Sequence, residues 1–274
     1  MKKIVEKTNG CLVWGGGLKL APSDDKIIRV ERPLSIDAKS QLLASVLSKK
    51  ASVSATHLLI DIPTGKGSKI TSKEKATQLK KDFKSITKKI GIKTKVILTD
   101  GSQPIGNGIG PVLEAKDVLY VLKQDERRPL DLEEKSIKMA GILLRMGGKA
   151  KRWQGSEKAR EILRSGQAYN KFVEIIKAQG GKELNPDLIK VGKFSFDLRA
   201  GKKGKIKELD NRAISKIARV AGAPEDKGAG IYLYKHIGDS IKKGEKIFTI
   251  YTHNQIKLDF ARKSLKKLKS VVIE

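Results

Sequence analysis

Residues 57–119 read HLLIDIPTGKGSKITSKEKATQLKKDFKSITKKIGIKTKVILTDGSQPIGNGIGPVLEAKDVL. His57–Ile62 is a nearly continuous apolar run of strand length, as in parallel strands buried between layers. A Gly-rich loop, Pro63–Lys69, follows. Thr71-x-x-Glu74 has capping-box spacing and opens a helix that should end near Gly91. Lys95–Asp100 reads as the next strand. A second loop then carries glycines 101, 106, 108 and 110 with prolines 104 and 111, and a helical pattern begins. Strand, loop and helix, twice over, predict an α/β unit with a parallel sheet. Ligands on such sheets sit beyond the carboxyl ends of the strands, and both loops fall at that edge. Glycine permits close backbone approach and a helix start is electropositive, which suits an anionic or sugar-like ligand. The same Gly/Pro pattern also makes plain connections. Neither loop has Walker A spacing, although the first offers Lys66, Lys69 and backbone N–H groups that could clamp a phosphate.

Upstream, residues 4–14 read as a strand entering Gly15-Gly16-Gly17, with Cys11 in the core. Asp24 and Asp25 are adjacent carboxylates, expected as a solvated turn or cap, with a metal site as the alternative. Residues 35–50 predict a helix with Ser35 as N-cap. Leu42, Leu43, Val46 and Leu47 fill one arc of it. Gln41, Ser45, Ser48 and Lys49 fall on the other. Ser45 and Lys49 are i,i+4 neighbours, so a hydroxyl and an ammonium point the same way. Asp37 lies in the first turn, where a carboxylate meets the helix dipole favourably.

Downstream, helices are predicted over 131–146 and, as one or two pieces, over 156–179. From Phe194 the pattern changes to short β-like runs at 194–198, 231–234 and 247–251, with glycine-bearing turns. Helices are expected near 211–220 and 256–269. A boundary at about 185–193 divides the chain into an α/β portion with flanking helices, 1–185, and a β-rich α+β part, 190–274. The turn His236–Glu245 resembles those of biotinyl-like barrel-sandwich hybrids. No Met-Lys-Met modification site accompanies it, so it reads as scaffold.

The chain has 274 residues and 39% hydrophobic content, enough for sizeable cores. No apolar run approaches the roughly 20 residues of a membrane span, and no signal-peptide pattern opens the sequence. A single cysteine excludes an internal disulfide framework, and histidines 57, 236 and 253 share no metal-ligand spacing. No G-x-S-x-G elbow is present. These features fit a cytoplasmic protein. Net charge is +28, from 58 Lys+Arg against 30 Asp+Glu, which favours anionic partners. The few aromatic residues do not alternate with the basic clusters, which speaks against a base-stacking nucleic-acid platform.

Together, VWGGGLKLAPSDDKIIRVERPLSID (13–37), SVLSKK (45–50), IDIPTGKGSK (60–69) and GSQPIGNGIGPVLEAKDVL (101–119) resemble the pyrimidine-nucleoside phosphorylase family. The resemblance covers essentially the whole chain, and the β-rich end looks like the family's C-terminal domain. It implies the C-terminal half of a family protein, without the N-terminal helical segment and its phosphate-binding loop. The implied activity is phosphorolysis of nucleoside 5′-monophosphates (AMP, also CMP or UMP) to free base and ribose 1,5-bisphosphate. Inorganic phosphate is then the co-substrate and no other cofactor is expected. The implied partners are a separate N-terminal half and further copies of the full-length protein, not a membrane and not nucleic acid. By resemblance, Asp37 is the proton donor to the leaving base. Arg32, Ser45 and Lys49 contact the base, and Lys69 holds the 5′-phosphate. A general acid needs a raised pKa, whereas the helix dipole would lower that of Asp37, so these two roles oppose each other. Asn107 stands where the resemblance leads one to expect a basic residue. The alternatives are a thymidine or pyrimidine-nucleoside phosphorylase and a non-catalytic basic module that binds anions or nucleic acid.

Overall fold

The computed structural model describes residues 2–13, 21–22, 24, 26–27, 39–182 and 184–274. The chain opens with α1 (Lys2–Thr8) and continues to α2 (Lys39–Ala51). The predicted α/β unit follows as β1 (His57–Thr64), α3 (Lys73–Lys89), β2 (Lys93–Asp100), the short β3 (Gly108–Ile109) and α4 (Pro111–Lys123). β1 and β2 pair in parallel, from His57 against Lys93 to Thr64 against Asp100. Leu58, Ile60 and Ile62 alternate into a core shared with Leu43 and Leu47 of α2, Leu79 and Phe83 of α3 and Val96 of β2. α3 buries Ala76, Leu79, Phe83 and Thr87, a stripe at helical spacing. Its cap lies one residue later than expected. The Ser72 side chain accepts from the Lys75 amide at 3.2 Å, while Thr71 lines a surface hollow instead.

Helices α5 (Leu130–Met146), α6 (Gly155–Arg164) and α7 (Gln167–Ala178) come next. The expected 156–179 segment is two helices because the chain breaks at Gly166, with φ 77°. Of the strand expected at 4–14, the described residues 4–13 form none. Lys2–Thr8 is helical and packs against α7, and the Thr8 hydroxyl donates back to the Ile4 carbonyl at 2.8 Å. A short run of this kind fits either period, and packing decided it. Cys11 is half-buried and outside any strand. The backbone of Leu12 is held by the Gln179 amide, which both accepts and donates.

The remaining elements are β4 (Phe194–Arg199), β5 (Gly204–Leu209), α8 (Asn211–Ala221), β6 (Gly230–Leu233), β7 (Ser240–Ile241), β8 (Lys246–Thr252), α9 (Gln255–Lys267) and β9 (Val271–Ile273). One antiparallel sheet has the order β3-β6-β8-β4 and a smaller one β7-β5-β9. Ile214 and Ile217 of α8 and Leu258 of α9 pack on Ile231, Leu233, Phe248 and Ile250. Fully burying side chains of this size stabilises the fold by about 1.5–3 kcal/mol each. The chain is therefore a mixed α/β structure. β3, from the second Gly-rich loop, is an edge strand of the C-terminal sheet.

Candidate functional site

The Gly-rich loop after β2 is not an open anion cradle, because its amide donors are taken by the protein's own carboxylates. The Asn107 and Gly108 N–H groups both donate to Asp117 Oδ2, each at 2.7 Å. Gly106 N–H donates to Asp131 at 3.1 Å, Gly110 N–H to Glu114 at 3.0 Å and Ser102 N–H to Asp100 at 2.9 Å. Asp117 is only 2% exposed. Burial pushes its carboxyl pKa up, opposed by the two N–H bonds and reinforced by Asp131 and Glu114. Its Oδ1 is buried without a hydrogen-bond partner. The glycines serve close packing. A Cβ on Gly108 would enter the backbone of Leu113, and one on Gly110 (φ 127°) would enter the Ala229 carbonyl.

The same loop is stitched to the C-terminal part. Gly108 and Ile109 pair with Tyr232 and Ile231, and Leu233 N–H donates to the Asn107 carbonyl at 2.7 Å. The Asn107 side chain reaches His236 Nε2 at 2.9 Å and the Tyr232 hydroxyl at 3.4 Å. The residue that departs from the expected basic one is thus a neutral bridge between strands. Asn211 donates to the Gly101 carbonyl at 2.8 Å, and Ile237 N–H to the Gln103 side chain at 2.7 Å.

Lys66 pairs with Glu208 of β5 at 2.6 Å. Lys69 is exposed and lines a hollow of about 290 Å³ with Leu42, Val46 and Lys50 of α2 and Pro63 and Ile70. At the carboxyl ends of β1 and β2, a hollow of about 580 Å³ is lined by Thr64, Thr71, Thr77, Thr99, Lys73 and Asp100. This is the sheet edge where a ligand was expected.

The third group of polar side chains lies on α2. Ser45 and Lys49 do project together, as their spacing requires, and both meet Asp24. Ser45 Oγ donates to Asp24 Oδ2 at 2.9 Å and Lys49 Nζ reaches the same oxygen at 2.6 Å. Gln41 Nε2 donates to Asp24 Oδ1 at 3.0 Å. The Asp24 side chain is 8% exposed, so it is not the solvated turn expected of an Asp-Asp pair. Three donors from one helix offset the cost of burying its charge. Among the described residues, no cluster of His, Cys, Asp and Glu could hold a metal ion. Arg32 and Asp37 lie outside the described residues, as do Gly15–Gly17, Asp25 and Ser35. The structure thus brings Ser45, Lys49 and Gln41 onto one carboxylate. Lys69 sits beside the neighbouring strip of the same helix. Sequence reasoning named Asp24 without its buried link to α2, and missed Asp117. Asp117 was marked by a carboxylate four residues after Leu113 and four before Val121, inside the buried stripe of α4.

Residues 205–271 match the pyrimidine nucleoside phosphorylase C-terminal domain. Over 274 residues the chain is 46% identical to a protein named AMP phosphorylase from Methanocaldococcus jannaschii, covering 100% of this chain and 54% of that protein. The whole chain is thus similar to about half of a protein named AMP phosphorylase, and its residues 205–271 match one domain of the pyrimidine nucleoside phosphorylases. An AMP phosphorylase from Pyrococcus abyssi is 47% identical over 275 residues, with the same coverage of 100% and 54%. A protein named "Putative thymidine phosphorylase" from Bradyrhizobium diazoefficiens is 47% identical over 261 residues, covering 95% of this chain and 50% of that protein. The chain spans about half the length of these phosphorylase relatives. Among the described residues, no helix is long and apolar enough to cross a membrane.

Proposed function

We propose that this chain supplies the base- and 5′-phosphate-binding part of a cytoplasmic pentosyltransferase that phosphorolyses nucleoside 5′-monophosphates. AMP, and also CMP or UMP, would react with inorganic phosphate to give free base and ribose 1,5-bisphosphate. A phosphate oxygen bonds to C1′ as the C1′–N bond breaks, and the departing base takes a proton from Asp37. Arg32, Ser45 and Lys49 contact the base, and Lys69 holds the 5′-phosphate. Such a reaction is driven largely by positioning and electrostatics. The observation that carries the reading is the similarity, along the whole of this chain, to proteins named AMP phosphorylase. The convergence of Ser45 and Lys49 on one side of α2 supports it. Residues 1–185 are read as part of the central α/β domain. Residues 190–274 are read as the C-terminal domain, barrel-sandwich-hybrid-like in its two sheets. Turnover requires the remainder of the protein that the relatives carry.

The test assays AMP, CMP, UMP and thymidine with phosphate, using this chain alone and with the matching remaining half. Nucleotide-dependent release of base only in the complemented sample is expected. Robust turnover by the chain alone would refute the need for the other half. Full activity of Asp37→Asn would refute its acid role. A thymidine or pyrimidine-nucleoside phosphorylase is the second reading, favoured by the name of the Bradyrhizobium relative. It wins if Lys69→Ala leaves nucleoside turnover intact and monophosphates are never substrates. The charge of +28 favours a third reading, a nucleic-acid-binding module. That reading predicts tight binding that falls steeply with salt.

A further inference from the structure

Gln41, Ser45 and Lys49 stand at i, i+4 and i+8, one stripe along α2. All three side chains end on a single buried carboxylate from a different segment of the chain. Gln41 takes Oδ1, while Ser45 and Lys49 share Oδ2. Asp24 therefore fixes more than the position of its own segment. A serine hydroxyl has one hydrogen, and here it is spent on Asp24. What Ser45 Oγ retains for any further partner is acceptor capacity. Lys49 has three N–H donors and no acceptor, so it offers only donors. One carboxylate thus sets Ser45 as an acceptor and holds it beside Lys49, which is a donor in any setting.

We infer that Asp24 is a positioning residue that presets this pair for the base, Ser45 as acceptor and Lys49 as donor. The inference rests on the proposed phosphorylase reading, in which Ser45 and Lys49 face the base, and it adds how they are held. The matching ligand edge carries an N–H or amino donor beside an acceptor, as the polar edges of adenine, cytosine and uracil do. A preset pair loses little freedom on binding, and that gain appears in nucleotide affinity, not in affinity for phosphate. A purely structural tie between Asp24 and α2 would instead change stability and both substrates alike.

Two measurements test this on Asp24→Asn and Asp24→Glu. The first is trace acetylation of the lysines, read by peptide mass spectrometry on the full chain. If Asp24 holds the ammonium, Lys49 in Asp24→Asn labels several-fold faster relative to Lys50 and Lys88, and Asp24→Glu restores slow labelling. Unchanged relative labelling in Asp24→Asn overturns the inference. The second is steady-state kinetics of the complemented enzyme. Asp24→Asn is expected to raise KM for the nucleotide about tenfold, the worth of one charge-assisted hydrogen bond, with KM for phosphate unchanged. Equal changes in both KM values, or none, overturn the positioning role while leaving the phosphorylase reading intact. If the unaltered complemented enzyme shows no turnover, the phosphorylase reading falls. The labelling result still decides whether Asp24 holds Lys49.

Discussion

Asp117 gives the sharpest test of how the Gly-rich loop is held. Its Oδ2 accepts the Asn107 and Gly108 amides at 2.7 Å each, and its Oδ1 has no hydrogen-bond partner. Asp117→Ala leaves two buried donors unmet at about 1–3 kcal/mol each, less what is regained by removing a buried carboxylate. The net expected loss is about 2–4 kcal/mol, or roughly 5–10 °C in Tm for a chain of this size. Asp117→Asn should behave differently. Its carboxamide oxygen can accept both amides, and the buried charge is gone. The sign of the pH effect follows from linkage. The folded carboxyl is raised above its ordinary value of 3.8 by burial. Across the window from that value up to the folded pKa, the folded state binds more protons, so stability falls as pH rises and is constant above it. Asp117→Asn should remove this component. The difference in stability, variant minus unaltered chain, should therefore grow as pH rises above the ordinary carboxyl value of 3.8 and level off above the raised folded pKa. Thermal unfolding at a series of pH values measures it. Hydrogen exchange at the Asn107 and Gly108 amides reports the same two bonds directly. If Asp117→Asn destabilises the chain at pH 7 as much as Asp117→Ala, or if the two amides stay protected in Asp117→Ala, the assignment is wrong.

Two further substitutions, Asp61→Ala and Gly110→Ala, probe how the layers are joined, with Gly166→Ala as a control. Lys135 of α5 pairs with Asp61 of β1 at 2.6 Å, with side chains 18% and 14% exposed, and Thr99 Oγ also donates to Asp61 at 2.7 Å. Asp61→Ala should cost about 3 kcal/mol in urea unfolding, in the range for removing one partner of a buried pair, whereas a loss below 1 kcal/mol would show a solvated pair. Gly110→Ala adds a side chain at φ 127° against the Ala229 carbonyl and should cost at least about 2 kcal/mol. It should also speed exchange of the Leu233 amide. Gly166→Ala, at φ 77° with open space around it, should cost only about 1 kcal/mol. Equal losses at the two glycines would refute the packing argument.

The β1-α3-β2-α4 unit was legible because its periods are long and its punctuation is strong. Leu79 and Phe83 repeat at helical spacing, and Gly91 stops the helix. β3 was not legible. Gly108 and Ile109 have no strand pattern of their own and become a strand only because β6 presents an unpaired edge beside them. β7, also two residues long, escaped for the same reason. The helix at Lys2–Thr8 was misread because seven residues cannot separate the two periods. At the site, the common direction of Ser45 and Lys49 followed from spacing. Their counter-charge did not. Asp24 lies 21 and 25 residues away, and nothing local distinguishes a buried carboxylate from one in a turn.

The distribution of fully buried side chains bears on how the proposed site is kept in shape. Phe248, Ile206, Leu209, Ile214, Ile217, Ile231, Leu233, Ile241 and Ile250 all belong to the C-terminal part. Among the described residues, Val96 is the large apolar side chain of the α/β part in that class. Among the described residues, the more fully buried core is therefore not the one beneath Ser45, Lys49 and Lys69. Local stability follows buried apolar contact, so the site-bearing layer is the softer one. Polar ties carry the difference. Asp117 fastens the loop whose strand enters the C-terminal sheet, Asn211 fastens that loop to α8, Lys66 fastens the first loop to β5, and Asp24 fastens α2. Each tie is directional where apolar packing is not. A layer softer than its neighbour can then still present its functional side chains at fixed angles. That is the physical reason to expect substitutions at Asp24 and Asp117 to change binding geometry out of proportion to the apolar area they bury.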